Sequence, residues 1–146
     1  MVVGIGVDMV DMGEFRRLCG GFGNLPVRLG TGGEKDGSRV PGVANAFVAR
    51  TFSEAEREQA LERADSAEFL AGRFAVKEAV FKALSPHAYG IPFELRMVES
   101  LDDKSGAPYV VVREDIKPVL EAAGATEVLV SITNEGDYVV AFALVQ

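Results

Sequence analysis

The run AEFLAGRFAVKEAVFKAL at 67–84 restricts this chain more than any other segment. It consists largely of strong helix formers, has no internal proline and meets Pro86 just past its end, so it predicts a long helix that stops there. On such a helix Glu78 and Lys82 stand within about 40° of each other, as any i, i+4 pair does. Phe74 and Phe81 flank this charged strip on one side and Ala71, Ala75 and Ala79 on the other, where a solvated face would carry more polar neighbours. Charges set among apolar groups must be paired or bound, because burying an unpartnered ion costs several kcal/mol or more. An internal Glu78–Lys82 salt bridge satisfies that demand, with Arg73 and Lys77 extending past their apolar stems to water; so does a bound ligand.

A second constraint lies at the N-terminus. In VVGIGVDMV (2–10) Val3, Ile5 and Val7 share one face of a strand, while Gly4, Gly6 and Asp8 share the other. A face without side chains implies close approach by something large. Asp11 with Glu14 three residues on resembles a helix start and predicts a short helix over 11–19. Gly20 to about Ala49 is glycine-rich, carries two prolines and shows no sustained period, which predicts a long loop. Ser53 and Glu56 form an S-x-x-E capping box that opens a helix over 54–64. Strands follow near 93–101 and 108–112, then a helix over 114–123 ended by Gly124, and a closing hairpin of EVLVSIT, the turn NEGD and YVVAFALV with one side buried. The expected architecture is one α+β domain over 1–146, an antiparallel sheet with the long helix packed on it.

The chain has 146 residues, of which 48% are apolar and 25% charged, enough for a single core. The apolar stretches at 2–10 and 138–145 are too short to span a bilayer, and no secretory signal is evident, so a cytoplasmic location is expected. Cys19 is the only cysteine, which excludes an intrachain disulfide and a cysteine metal cluster. The net charge of -7 argues against broad nucleic-acid binding.

Four stretches, GIGVDMVD (4–11), FSEAE (52–56), FLAGRFAVKEAVFKAL (69–84) and VSIT (130–133), occur in an order that resembles the holo-acyl-carrier-protein synthases, the small 4'-phosphopantetheinyl transferases. The resemblance implies transfer of phosphopantetheine from coenzyme A to a serine of an acyl carrier protein, with release of 3',5'-ADP. It implies Asp8 and Glu78 as magnesium ligands, and Lys82, Lys77 and Arg73 as contacts for the coenzyme A phosphates. Lys82 and the metal would offset charge on the transferring oxygens, and Glu78 would take the serine proton directly or through a water. Two carboxylates suit magnesium, which keeps several waters and completes its shell with phosphate oxygens. Glu56 falls in the family's metal neighbourhood, yet the capping box accounts for it. Ser131 and Thr133 offer hydroxyls to the nucleotide, or simply alternate out of a strand; His87 reads as a loop residue. The resemblance further implies a homotrimer with active sites between subunits.

This sequence departs from the family's pattern in four places. Glu14 stands where an arginine commonly meets the carrier, although Arg16 and Arg17 follow. Leu129 stands where a histidine usually precedes the late strand. The short glycine loop after the long helix becomes SPHAYGIP (85–92), in which Gly90 alone remains to offer a phosphate-binding backbone, and the 20–49 connection is longer than usual. These departures gather around substrate recognition, which points to a carrier from polyketide or other specialised biosynthesis. A homologue that keeps the fold but only binds coenzyme A or another protein is the alternative.

Overall fold

The computed structural model describes residues 1–19 and 44–146. In order, these form β1 (Gly4–Asp11), α1 (Met12–Leu18), α2 (Ala44–Thr51), α3 (Glu54–Leu61), α4 (Ser66–Leu84), β2 (Glu99–Asp102), β3 (Pro108–Val111), α5 (Lys117–Ala123), β4 (Val128–Glu135) and β5 (Tyr138–Val145), with 3-10 turns at Ser85–His87 and Leu95–Met97. The strands make two antiparallel sheets, one ordered β1-β5-β4 and one pairing β2 with β3. The α+β arrangement with a long helix on an antiparallel sheet is therefore present.

The side-chain-free face of β1 receives α4. A Cβ at Gly6 would stand 1.8 Å from the Ala79 carbonyl oxygen, and one at Gly4 would stand 2.3 Å from that of Ala83, so only glycine permits this backbone approach. On the same sheet face Val139, Ala141, Ala143 and Val145 of β5 are buried, and Gly72 of α4 lies against Ile132 and Val139. Small residues on both sides let helix and sheet pack closely. Leu70, Ala71, Ala75, Val76, Ala79, Val80 and Leu84 are all shut from solvent, which explains why α4 is apolar nearly all round. Phe15 of α1 anchors a ring cluster with Phe47, Phe52 and Phe74 at centroid distances of 5.8–6.4 Å, edge-on or tilted.

The local start signals are realised in hydrogen bonds. The Asp11 side chain accepts from the Glu14 amide at 2.8 Å, Ser53 and Glu56 complete their capping box, and Asp65 caps α4 one residue ahead of its expected start. Other boundaries differ from expectation. Residues 44–49 are helical rather than loop, because ANAFVART is built of residues a helix tolerates once Phe47 and Val48 have a core to enter; the remaining loop positions, 20–43, lie outside the described residues. The strand expected over 93–101 is confined to Glu99–Asp102, since Leu95–Met97 turns as a 3-10 helix. The helix expected over 54–64 ends at Leu61, and the one over 114–123 begins at Lys117 with proline in its first turn. Among the described residues no helix is long and apolar enough to cross a membrane.

Candidate active site

Asp8 lies two residues beyond Gly6 on the face of β1 that meets α4, paired in register with Ala141. The close approach at Gly6 carries the Glu78 and Lys82 turns of α4 up to it. The Lys82 ammonium donates to Asp8 Oδ1 at 2.6 Å and to the Val7 carbonyl at 3.1 Å. Lys82 thus pairs with Asp8 across elements, not with Glu78 along the helix, and its half-exposed side chain, at 52%, stays reachable from solvent. The Glu78 carboxyl is pushed above its ordinary value, chiefly by burial and next by the negative charge of Asp8, with Lys82 opposing. Two acids and one ammonium, distant in sequence, share one patch.

Lys77 and Arg73 face elsewhere. The Lys77 side chain is completely buried, its ammonium 2.9 Å from Glu56 Oε2 and bonded to the Val98 carbonyl; burial pushes its pKa down while Glu56 opposes. An ammonium so enclosed cannot also reach a substrate phosphate, so the expected phosphate role of Lys77 is corrected to an internal one. Its partner Glu56 accepts from Ser53 and Ser100 amides as well, which makes the cap part of a buried ion pair. Arg73, 4% exposed, donates to Ser100 Oγ at 3.2 Å and to Asp102 Oδ1 at 2.8 Å, while its Nε has no hydrogen-bond partner among the described residues.

Arg73 does border a cavity of about 650 Å³ near the β4 edge, together with Arg63, Phe69, Asp102, Thr133 and Asn134. Arg63 and Arg73 both lie over the Phe69 ring, 5.2 and 4.4 Å from its centroid, and both bond to Asp102. Thr133 thus joins Arg73, whereas Ser131 is exposed on the outer face of β4. Gly90 sits in the exposed loop after α4 with φ 75° and open space where a Cβ would stand. His87 hydrogen-bonds the Val3 carbonyl at 3.1 Å from the 3-10 turn. Arg16 is engaged by Asp65 at 2.5 Å, leaving Arg17 the freer cation of α1, 4.0 Å from Glu14.

A family profile described as the 4'-phosphopantetheinyl transferase superfamily matches residues 4–143. The chain belongs to that superfamily. A holo-[acyl-carrier-protein] synthase of Desulforudis audaxviator is 34% identical over 144 residues, covering 99% of this chain and 92% of the relative. Among solved structures, the holo-[acyl-carrier-protein] synthase of Neisseria meningitidis superposes with a TM-score of 0.72 at 26% identity, covering 100% of this chain and 99% of that one. The complex of a Chronobacterium ammoniagenes ACPS with CoA superposes with a TM-score of 0.71 at 30% identity, covering 98% and 96%.

In this phosphopantetheinyl transferase the donor set suits a hard divalent cation. Two carboxylates repel each other at one place and a single ammonium offsets them; a magnesium ion takes one or two carboxylates and fills its shell with water and substrate oxygens. Among the described residues no third acid, histidine or cysteine joins the pair to make a closed site. Nothing in the local sequence singles out Arg63, Asp102 or Asn134. Asp102 falls between the two strands expected near 93–101 and 108–112, and only the β2–β3 pairing sets it under α4.

Proposed function

We propose that this chain transfers the 4'-phosphopantetheine group of coenzyme A to a serine hydroxyl of an apo acyl carrier protein, releasing 3',5'-ADP, with magnesium bound between Asp8 and Glu78. The meeting of Asp8, Lys82 and Glu78 where β1 crosses α4 carries this reading, in a chain whose relatives are named for that synthase reaction. The transfer breaks the pyrophosphate P–O bond on the pantetheine side and forms one to the serine oxygen, so negative charge grows on the departing phosphate. Lys82 sits at the open rim of the patch, where its ammonium offsets that charge. Glu78 takes the serine proton directly or through a water. Magnesium, when bound, adds Lewis-acid charge beside the pyrophosphate oxygens.

The nucleotide belongs in the cavity of Arg63, Arg73, Phe69 and Thr133, where two guanidiniums stand over one aromatic ring, with Asp65, Glu68 and Asp102 on the same wall. That cavity borders β4 and the acidic patch borders β1, the two outer strands of the sheet, with β5 between them. The body of α4 separates them within one chain, which favours a composite site made by neighbouring copies. The outward sheet face supports assembly as a homotrimer: Ile5, Val7, Met9, Leu129, Tyr138 and Phe142 are each 45–62% exposed on it. We place the carrier in polyketide or other specialised biosynthesis, because Glu14 and the Arg16–Asp65 pair leave α1 with little free positive charge for a strongly acidic partner.

Incubation with magnesium, coenzyme A and a panel of apo carrier proteins tests this, with intact-protein mass spectrometry reading one added phosphopantetheine per carrier. Asp8→Ala and Glu78→Ala should each slow transfer at least about a hundredfold, and Lys82→Ala comparably. Normal rates in both acid variants would remove the assignment, and coenzyme A binding without any carrier mass gain would make the chain a binding module.

A further inference from the structure

Beside the acidic patch lies a fully enclosed ion pair, Glu56–Lys77, that the proposed reaction does not touch. Glu56 of α3 and Lys77 of α4 have no exposed surface, and their charged groups stand 2.9 Å apart. Each is held by backbone as well. Glu56 Oε2 accepts from the Ser53 amide at 2.8 Å and Oε1 from the Ser100 amide of β2 at 2.9 Å, while Lys77 donates to the carbonyl of Val98, just ahead of β2. One helical turn earlier Arg73 repeats the attachment, donating to Ser100 Oγ and Asp102 of β2. The β2–β3 ribbon and α3 are therefore riveted to α4 by buried polar groups, and the rivet nearest the active site is the residue directly before Glu78.

We infer that the Glu56–Lys77 pair is a positioning device that sets the rotation of α4 about its own axis and so aims Glu78 at the metal site it shares with Asp8. This rests on the metal-dependent reading above. On the sheet side α4 is seated against Gly4 and Gly6 through the carbonyls of Ala79 and Ala83, a contact that fixes its distance from β1. Those carbonyls lie close to the helix axis and are weak stops against rotation, whereas the long Lys77 side chain, tied down at its tip, is a strong one. A side-chain tip lies roughly 6 Å from the helix axis, so a 20° turn would displace the Glu78 carboxylate by about 2 Å. Octahedral magnesium sites and designed constellations alike tolerate far less, about 0.5 Å. An apolar pair of similar volume would fill the space yet offer no directional tether, so packing and aiming are separable here.

The test uses the double variant Glu56→Leu/Lys77→Met, since either single substitution strands a buried charge and risks unfolding. Magnesium binding is measured by calorimetry and Mn²⁺ binding by electron paramagnetic resonance, both without coenzyme A or carrier, beside the thermal midpoint of each protein. The expected result is a folded double variant, melting within a few degrees of the parent, whose metal affinity is lower by about 10- to 100-fold, the loss typical when groups supporting metal ligands are removed. Parental metal affinity in the folded double variant would overturn the inference. If the double variant unfolds, Glu56→Gln/Lys77→Met, which leaves no buried charge, removes the Lys77 tether and keeps a polar side chain at the Ser53 cap, replaces it under the same criterion. Asp8→Asn serves as the control: if it leaves metal binding unchanged, the shared site itself is wrong, a failure distinct from that of the positioning pair.

Discussion

A carboxyl that is half out of water beside a second carboxylate keeps its proton to higher pH than one in solution, and Glu78 is in that position, with burial the larger cause, Asp8 the next and Lys82 acting against both. Between the ordinary carboxylate value and the raised one, the folded chain binds a proton here that the unfolded chain has released. Stability therefore falls through that window as pH rises and is regained on acidification. In metal-free protein, carbon-detected NMR titration should place the Glu78 carboxyl above the ordinary range. Asp8→Asn should lower its midpoint and Lys82→Met should raise it; a shift of the opposite sign in either variant would show that the three groups do not share one patch. Cys19 contrasts with this: burial pushes its thiol up to about 11 against the opposing charge of Arg16, and it stays protonated at neutral pH.

Two contacts of α4 set where its charged turn comes to rest. Gly6→Ala puts a methyl group into the Ala79 carbonyl, which can give way only by moving helix and strand apart, so the variant should lose about 1–3 kcal/mol in urea unfolding. Transfer should fall with it, because the same separation takes Glu78 away from Asp8. At the other end Asp65 caps the helix and pairs with Arg16, whose hydrogen bond holds its carboxyl below the usual range. Asp65→Ala should cost about 1–2 kcal/mol at neutral pH. The ionised carboxylate's share is present above the ordinary carboxylate value and fades as pH falls through the lowered one, so the gap between parent and variant in urea midpoints should narrow in acid. A gap that widens would contradict the pairing.

At the scale of the whole molecule the outer face of the β1-β5-β4 sheet is the feature that one chain leaves unexplained. Phe142 sits in its middle strand, opposite Val7 on one side and Ser131 on the other. Phe142→Glu places a charge at the centre of that face without entering the core beneath α4. The parent should elute as an oligomer whose mass by light scattering is three chains, and the variant as a folded monomer. If sites are shared between copies, the monomer should bind metal at Asp8 and Glu78 yet lose transfer; a fully active monomer would confine the site to one chain.

Much of this organisation was legible in the residues. The glycine face of β1, the capping residues Asp11 and Ser53 with Glu56, and the long helix ended by Pro86 all follow from local rules, because backbone clearance, orphaned amides and missing N–H groups act within a few residues, whereas Asp8 and Glu78 were joined only by the family resemblance. The destinations of the long side chains were not legible. Lys77, Arg73 and Lys82 belong to one residue class on one helix, and nothing in their spacing says that the first is sealed against Glu56, the second bound to Asp102 and the third left at the rim beside Asp8. That depends on which element packs against each side of α4. A flexible cation on a helix takes whichever acid the tertiary structure brings within its reach, so its role was decided by packing across the chain, where local pattern carries no information.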